Sequence, residues 1–146
     1  MADAGLTSDS PVSTVYDFDA MDRDLICGFV ADSYWGMGRE HEQIVKSIEN
    51  SYPVGLFDGQ RQVAFARAIS DQCYLAYVCD VFVIEPYRGR GLSVRIMNDL
   101  MNHPKLSAVS KWMLATEDAG GLYEKFGFQN IPGSSYMTLE RFGQNP

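Results

Sequence analysis

Residues 85–95 read EPYRGRGLSVR, with Arg88 and Arg90 alternating with Gly89 and Gly91 ahead of a helix-like pattern. A helix start leaves N–H groups unpaired and carries partial positive charge, so it suits an anion. Glycine removes side chains where a phosphate needs close backbone approach, and the arginines add charge at the rim. Two familiar phosphate loops are excluded. The Lys-Ser/Thr ending of a P-loop is missing, and Val94 stands where a dinucleotide fingerprint needs its third glycine. On the residues alone, 88–94 is either an anion-binding turn or a plain glycine turn. A second chemical signal is Asp80, the sole charge in the apolar run 74–84. A buried carboxylate is costly without partners. Asp80 is therefore either a proton acceptor or a group that bonds its neighbours and shapes a site. His41, His103 and the three cysteines lack the spacing of metal ligands, so no metal is assigned.

The elements that would carry these groups follow from periodicity. VSTVYDF (12–18) alternates weakly and suits a first strand. Leu25, Ile26, Phe29 and Val30 make a helical stripe within 21–33, and Ile44, Val45 and Ile48 make another within 40–50. SYWGMGRE (33–40), aromatic and glycine-rich, reads as the loop between them. Residues 52–70 form two strands around Asp58-Gly59, a dipeptide suited to a hairpin. CYLAYVCDVFVI (73–84) has the continuous apolar character of a central strand covered on both faces. After the glycine turn, Leu92, Ile96, Met97, Leu100 and Met101 repeat at helical spacing, with Pro104 close behind. His103, at that helix end, is expected to cap it. KWMLAT (111–116) suits another buried strand. Ala119, Leu122, Tyr123 and Phe126 mark a helix stopped by Gly127, with Asp118 as its N-cap. SYMTLERF (135–142) alternates and would close the sheet.

The chain has 146 residues, enough for one domain with a real core. Residues 1–10 read as a flexible tail and 11–146 as a single domain. The net charge of −7 disfavours nucleic acid as a partner and mildly favours cationic small molecules. No apolar run approaches a membrane span, and the polar, acidic start lacks the order of a secretory signal. Cys27, Cys73 and Cys79 are then most simply reduced thiols in a cytoplasmic protein. Cys79 reads as a small core residue of the central strand.

DVFVIEPYRGRGLSVRIMNDLM (80–101) resembles the central motif of the GNAT superfamily of acyl-CoA-dependent N-acetyltransferases. Its Arg/Gln-x-x-Gly-x-Gly/Ala signature is met by Arg88 and Gly91, with Ser93 in place of the last small residue. LYEKFGF (122–128) resembles the second signature, at the expected distance downstream. A histidine common in related sequences is replaced here by Gly120. The resemblance is strongest over 52–131, and SYWGMGRE and the end of the chain resemble a small bacterial-type subgroup. It implies an α/β (α+β) fold with a mixed, mostly antiparallel sheet, helices on both faces and a splayed central strand pair.

The resemblance also implies acetyl-CoA as cosubstrate. Its pyrophosphate would rest on backbone N–H groups of Arg88, Gly89, Arg90, Gly91, Leu92, Ser93 and Val94. Its pantetheine arm would pair with backbone at Val81 and Val83, and an N–H near Val81 or Phe82 would polarise the acetyl carbonyl. Tyr123 would give a proton to the departing thiolate, unless it is only a core aromatic. Asp80 would be a general base or a shaping group. Tyr34, Trp35 and Arg39 would form an acceptor pocket, Trp35 as a flat wall and Arg39 as a carboxylate or phosphate handle. The plainer alternative is a loop tucking aromatics into the core. Glu117 would face the same slot. The expected acceptor is a small-molecule primary amine attacking directly in a ternary complex. A peptide acceptor and a non-catalytic acyl-CoA-binding module are the alternatives, and homodimer formation is left open.

Overall fold

The computed structural model describes residues 11–117 and 120–140. Expectations for the tail 1–10, for Asp118 and Ala119, and for residues 141–146 lie outside them. Five strands form one sheet in the order β1-β2-β3-β4-β5. They are β1 (Val12–Val15), β2 (Tyr52–Asp58), β3 (Arg61–Ser70), β4 (Ala76–Val83) and β5 (Trp112–Met113). The first four pair antiparallel and β5 joins β4 in parallel, so the sheet is mixed and mostly antiparallel. The hairpin of β2 and β3 turns where expected, with Gly59 at φ 62°.

Helices are α1 (Arg23–Asp32), α2 (His41–Glu49), α3 (Leu92–Met101) and α4 (Gly120–Glu124). Asp22 caps α1, its carboxylate accepting from Leu25 N–H at 3.0 Å. The stripes read from the sequence face the core: Ile26 and Val30 of α1, Ile44 and Ile48 of α2, and Leu92, Ile96, Met97 and Leu100 of α3 are buried, Cys27 joins them, and Leu25, Phe29, Val45 and Met101 are half-buried. Every residue of β3 from Gln62 to Ala68 is buried. Successive side chains of a strand point to opposite faces, so β3 is covered on both. Helix α3 packs against β2, β3 and β4, and α2 packs against β2 with α1 beside it. The first strand is fastened to α3 by Arg95, which donates to Val12 O, to Thr14 Oγ1 and to Asp99 Oδ2.

Two strand expectations are corrected. KWMLAT, expected as a buried strand, yields only the half-buried pair Trp112–Met113, and residues 135–140 form no strand. Alternation marks which residues would share a face; it does not supply the neighbouring strand. Among the described residues none pairs with β5 on its outer edge, and Met137 and Leu139 stay exposed. His103 is a third correction. Its ring does not cap α3. It is buried against the rings of Tyr16 and Tyr52, and its Nδ1 accepts from Lys105 N–H at 3.1 Å.

Candidate active site

The site begins with an irregularity in β4. Phe65 faces Phe82 and Arg67 faces Cys79, so β4 carries one residue more than β3 between those pairs. Asp80 sits in this bulge at φ 56°, in the left-handed region that aspartate tolerates better than most residues. Strand β5 pairs with β4 only at Ala76 and Tyr77, ahead of the bulge. Beyond that point the two chains part. The opening is a cleft of about 300 Å³ lined by Tyr77 to Val81 on one side and Leu114 to Thr116 on the other. Tyr34, Trp35, Arg39, Arg67 and Tyr123 complete its walls.

Asp80 is the hub of this cleft. Its side chain is 2% exposed and its Oδ2 accepts from Arg67 Nε at 2.6 Å, where Arg67 is itself 6% exposed. Its Oδ1 accepts from Trp35 Nε1 at 2.8 Å and lies 3.8 Å from Arg39 Nη1. Both oxygens therefore meet donors, and the desolvation of the carboxylate is offset by a charged, hydrogen-bonded partner. Arg67, absent from the expected site, is the residue that sequence reading missed. It is the one charge in the otherwise apolar stretch 63–69, the same kind of signal that drew attention to Asp80.

The loop 33–40 reaches the cleft because it is tightly built. Ser33 Oγ donates to Val30 O at 2.7 Å and accepts from Gly36 N–H at 3.0 Å. A Cβ on Gly36 would stand 2.5 Å from Val30 O, so only glycine lets the loop close this far. Trp35 is half-buried, with the rings of Tyr34 and Phe29 beside it. Tyr34, Trp35 and Arg39 are thus brought together with Asp80, while Glu117 is exposed and is not among the lining residues. Cys79 is also corrected: it is half-buried and lines the cleft instead of filling the core. Burial raises its thiol pKa above the ordinary value, and Asp80 adds to the rise, while Arg67 and Arg39 oppose it.

Tyr123, on α4, is half-buried and lines the cleft, its ring set edge-on to Phe128 at 6.2 Å. At the far end of β4 the chain passes through Glu85–Tyr87 into the glycine turn. Gly89 and Gly91 have φ of 80° and 79°, which explains both glycines by conformation as well as by access. Gly91 is the N-cap of α3, with no side-chain cap and no acidic residue in the first turn. Among the described residues the N–H groups of Leu92, Ser93 and Val94 have no protein acceptor. A cradle of amides with open approach and adjacent arginines fits a diphosphate. The arginines are placed less freely than expected. Arg90 lies over the Tyr87 ring at 4.7 Å, and Arg88 Nε donates to Val83 O at 3.0 Å. That bond uses one of the backbone groups expected to meet the pantetheine arm. Val81 lines the cleft, whereas the Phe82 side chain turns into the core and stacks on Phe29 at 4.0 Å.

A splayed parallel pair beside a glycine-capped helix is the arrangement that the motifs implied, and the comparison with known proteins agrees. The acetyltransferase (GNAT) domain family matches residues 50–130. The chain belongs to the GNAT family. A crystal structure from Xanthomonas campestris pv. campestris, assigned to the same family, is 37% identical, with a TM-score of 0.85 over 92% of this chain and 96% of that one. A Clostridium acetobutylicum structure determined with acetyl-CoA is 16% identical, with a TM-score of 0.68 over 89% of this chain and 96% of that one, and shares the fold. Among curated proteins, serotonin N-acetyltransferase 2, chloroplastic, of Oryza sativa subsp. japonica is 34% identical over 100 residues. That match covers 64% of this GNAT chain, which spans about half the length of the rice protein. No described helix of this GNAT domain is long and apolar enough to cross a membrane.

Proposed function

We propose that the protein transfers an acetyl group from acetyl-CoA to the primary amine of a small molecule, by direct attack in a ternary complex. The observation that carries this reading is the cleft between β4 and β5, lined by Tyr123 on one element and by Trp35 and Arg39 on another. When bound, acetyl-CoA supplies the activated acyl group. The amides of Gly89 to Val94 would hold its diphosphate, the Arg88 N–H being already given to Glu85 O at 3.1 Å, and the open edge of β4 at Val81 would meet its arm. A backbone N–H near Val81 or Phe82 would polarise the acyl oxygen. Tyr123 would hold a proton for the leaving sulfur, because a thiolate leaves more readily when a donor stands beside it.

Direct attack is favoured over a cysteine intermediate. Cys79, the thiol in the cleft, has its pKa raised and so keeps its proton at neutral pH. Asp80 acts by position: with both oxygens engaged it fixes the Trp35 ring and neutralises Arg67. A small acceptor fits the cleft of about 300 Å³, which lies at the small end of ligand-pocket volumes.

The test is release of free thiol from acetyl-CoA in the presence of an amine panel, compared between the native chain and Tyr123→Phe. Amine-dependent release is expected, with kcat lowered about 100-fold or more by Tyr123→Phe and acetyl-CoA affinity unchanged. Binding of acetyl-CoA without amine-dependent release would make the protein a binding module. Unchanged turnover in Tyr123→Phe would remove the tyrosine from the chemistry.

A further inference from the structure

We infer that the acceptor amine carries an anionic group, a carboxylate or a phosphate, and that Arg39 recognises it. The inference rests on the acetyl-transfer reading above and specifies its substrate class. It starts from the charges that line the cleft: Arg39, Arg67 and Asp80. Among the described residues two guanidinium groups face a single carboxylate, so that part of the lining has a surplus positive charge.

The geometry assigns that surplus to Arg39. Arg67 is buried and spends its Nε on Asp80 Oδ2 at 2.6 Å, with Nη1 3.5 Å from Ser51 Oγ. The other carboxylate oxygen already accepts from Trp35 Nε1. Arg39 Nη1 stands 3.8 Å from that oxygen, beyond hydrogen-bond reach. Among the described residues the Arg39 guanidinium donates to no acceptor. It is 35% exposed, and its one charged neighbour, Asp80 at 3.8 Å, is already engaged by two closer donors, so its hydration is only partly replaced. The fork of a guanidinium matches the paired oxygens of a carboxylate or phosphate.

The acidic surface does not overturn this local balance. The chain carries a net charge of −7. Exposed charges are screened over a Debye length of about 8 Å at physiological ionic strength. Arg39 lies inside the cleft wall, where an anion would contact it directly, and among the described residues Asp80 is the sole acidic residue of the lining. The loop that carries Arg39 is held by the Ser33–Gly36 hydrogen bond and by Arg39 N–H donating to Gly36 O at 3.0 Å. The guanidinium is therefore presented from a fixed backbone, and ligand binding costs less ordering.

The test uses matched amines that differ in one anionic group: phenethylamine against phenylalanine, and ethanolamine against phosphoethanolamine. The ratio of kcat/KM within each pair is measured for the native chain, Arg39→Gln and Arg39→Lys. Preference for the anionic member of one pair identifies carboxylate or phosphate as the source. The expected result is that preference in the native chain, cut about 10- to 100-fold by Arg39→Gln and partly restored by Arg39→Lys. Comparing the same pair across proteins cancels the difference in amine pKa. A ratio that favours the neutral members, or that Arg39→Gln leaves unchanged, overturns the inference while acetyl transfer stands. If acetyl-CoA binds but none of these amines releases thiol, the transfer reading loses its support. Calorimetry of the CoA-loaded protein with the same pairs then decides the inference. Tighter binding of the anionic member, lost in Arg39→Gln, supports it, and equal binding overturns it.

Discussion

Asp80 is held at φ 56° with a donor on each oxygen, and the two facts belong together. The bulge turns its carboxylate toward Arg67, thirteen positions back along the neighbouring strand, and toward Trp35 on a separate loop. The sequence signalled a costly charge in an apolar run; it carried no sign of the extra residue or of the distant partner. Replacing Asp80 by asparagine tests the arrangement cleanly, because asparagine also tolerates the left-handed region. Asp80→Asn strands the buried Arg67 charge and is expected to lower stability by about 3–5 kcal/mol in urea unfolding. Adding Arg67→Met removes the stranded charge and is expected to restore most of that loss. The same variant separates positioning from base catalysis. If Asp80 only positions, the acid limb of kcat/KM against pH stays where it is in the residually active Asp80→Asn protein. Disappearance of that limb would make Asp80 the base.

Elements were legible wherever burial created a period. The stripes of α1, α2 and α3 face the core, though Leu25, Phe29, Val45 and Met101 are only half-buried. Strand β3 is buried from Gln62 to Ala68, whereas β4, expected to be covered on both faces, leaves Tyr77, Cys79 and Val81 open to the cleft. Legibility failed at 135–140, where alternation was real but no partner strand follows among the described residues, and at 111–116, where an apolar run pairs with β4 over only two residues. It was incomplete at the glycine turn. The sequence pointed to access for an anion, while the structure adds that Gly91 occupies φ 79°. Alanine at this position separates the two roles. A Cβ there meets nothing within 4 Å beyond its own chain neighbours, so the fold loses chiefly the conformational preference, about 1–2 kcal/mol. The added methyl lies beside the first amides of α3, where the diphosphate is proposed to sit. Calorimetry is expected to show acetyl-CoA affinity falling about tenfold or more in Gly91→Ala, at temperatures where the variant remains folded. Undiminished affinity would place the diphosphate elsewhere.

At the scale of the whole molecule, His103 ties together three parts of the chain. Its ring lies edge-on to Tyr16, which follows β1, and to Tyr52, which opens β2, just beyond the end of α3. The Nδ1 atom accepts from Lys105 N–H, which requires that nitrogen to be unprotonated. Burial lowers its pKa below the ordinary 6.5, and the charge of Lys105 lowers it further. The unfolded chain therefore binds a proton in a pH range where the folded chain does not. The contribution of His103 to stability is fully present above about pH 6.5, falls as pH drops through the interval down to the folded pKa, and levels off below it. The exposed His41 has no comparable packing. Urea unfolding at pH 7.5, 6.5 and 5.5 is expected to show decreasing stability for the native chain. His103→Gln keeps an acceptor without the titration, and its stability is expected to change less over the same interval. An equal decline in both proteins would assign the pH dependence to other groups and leave His103 a packing residue only.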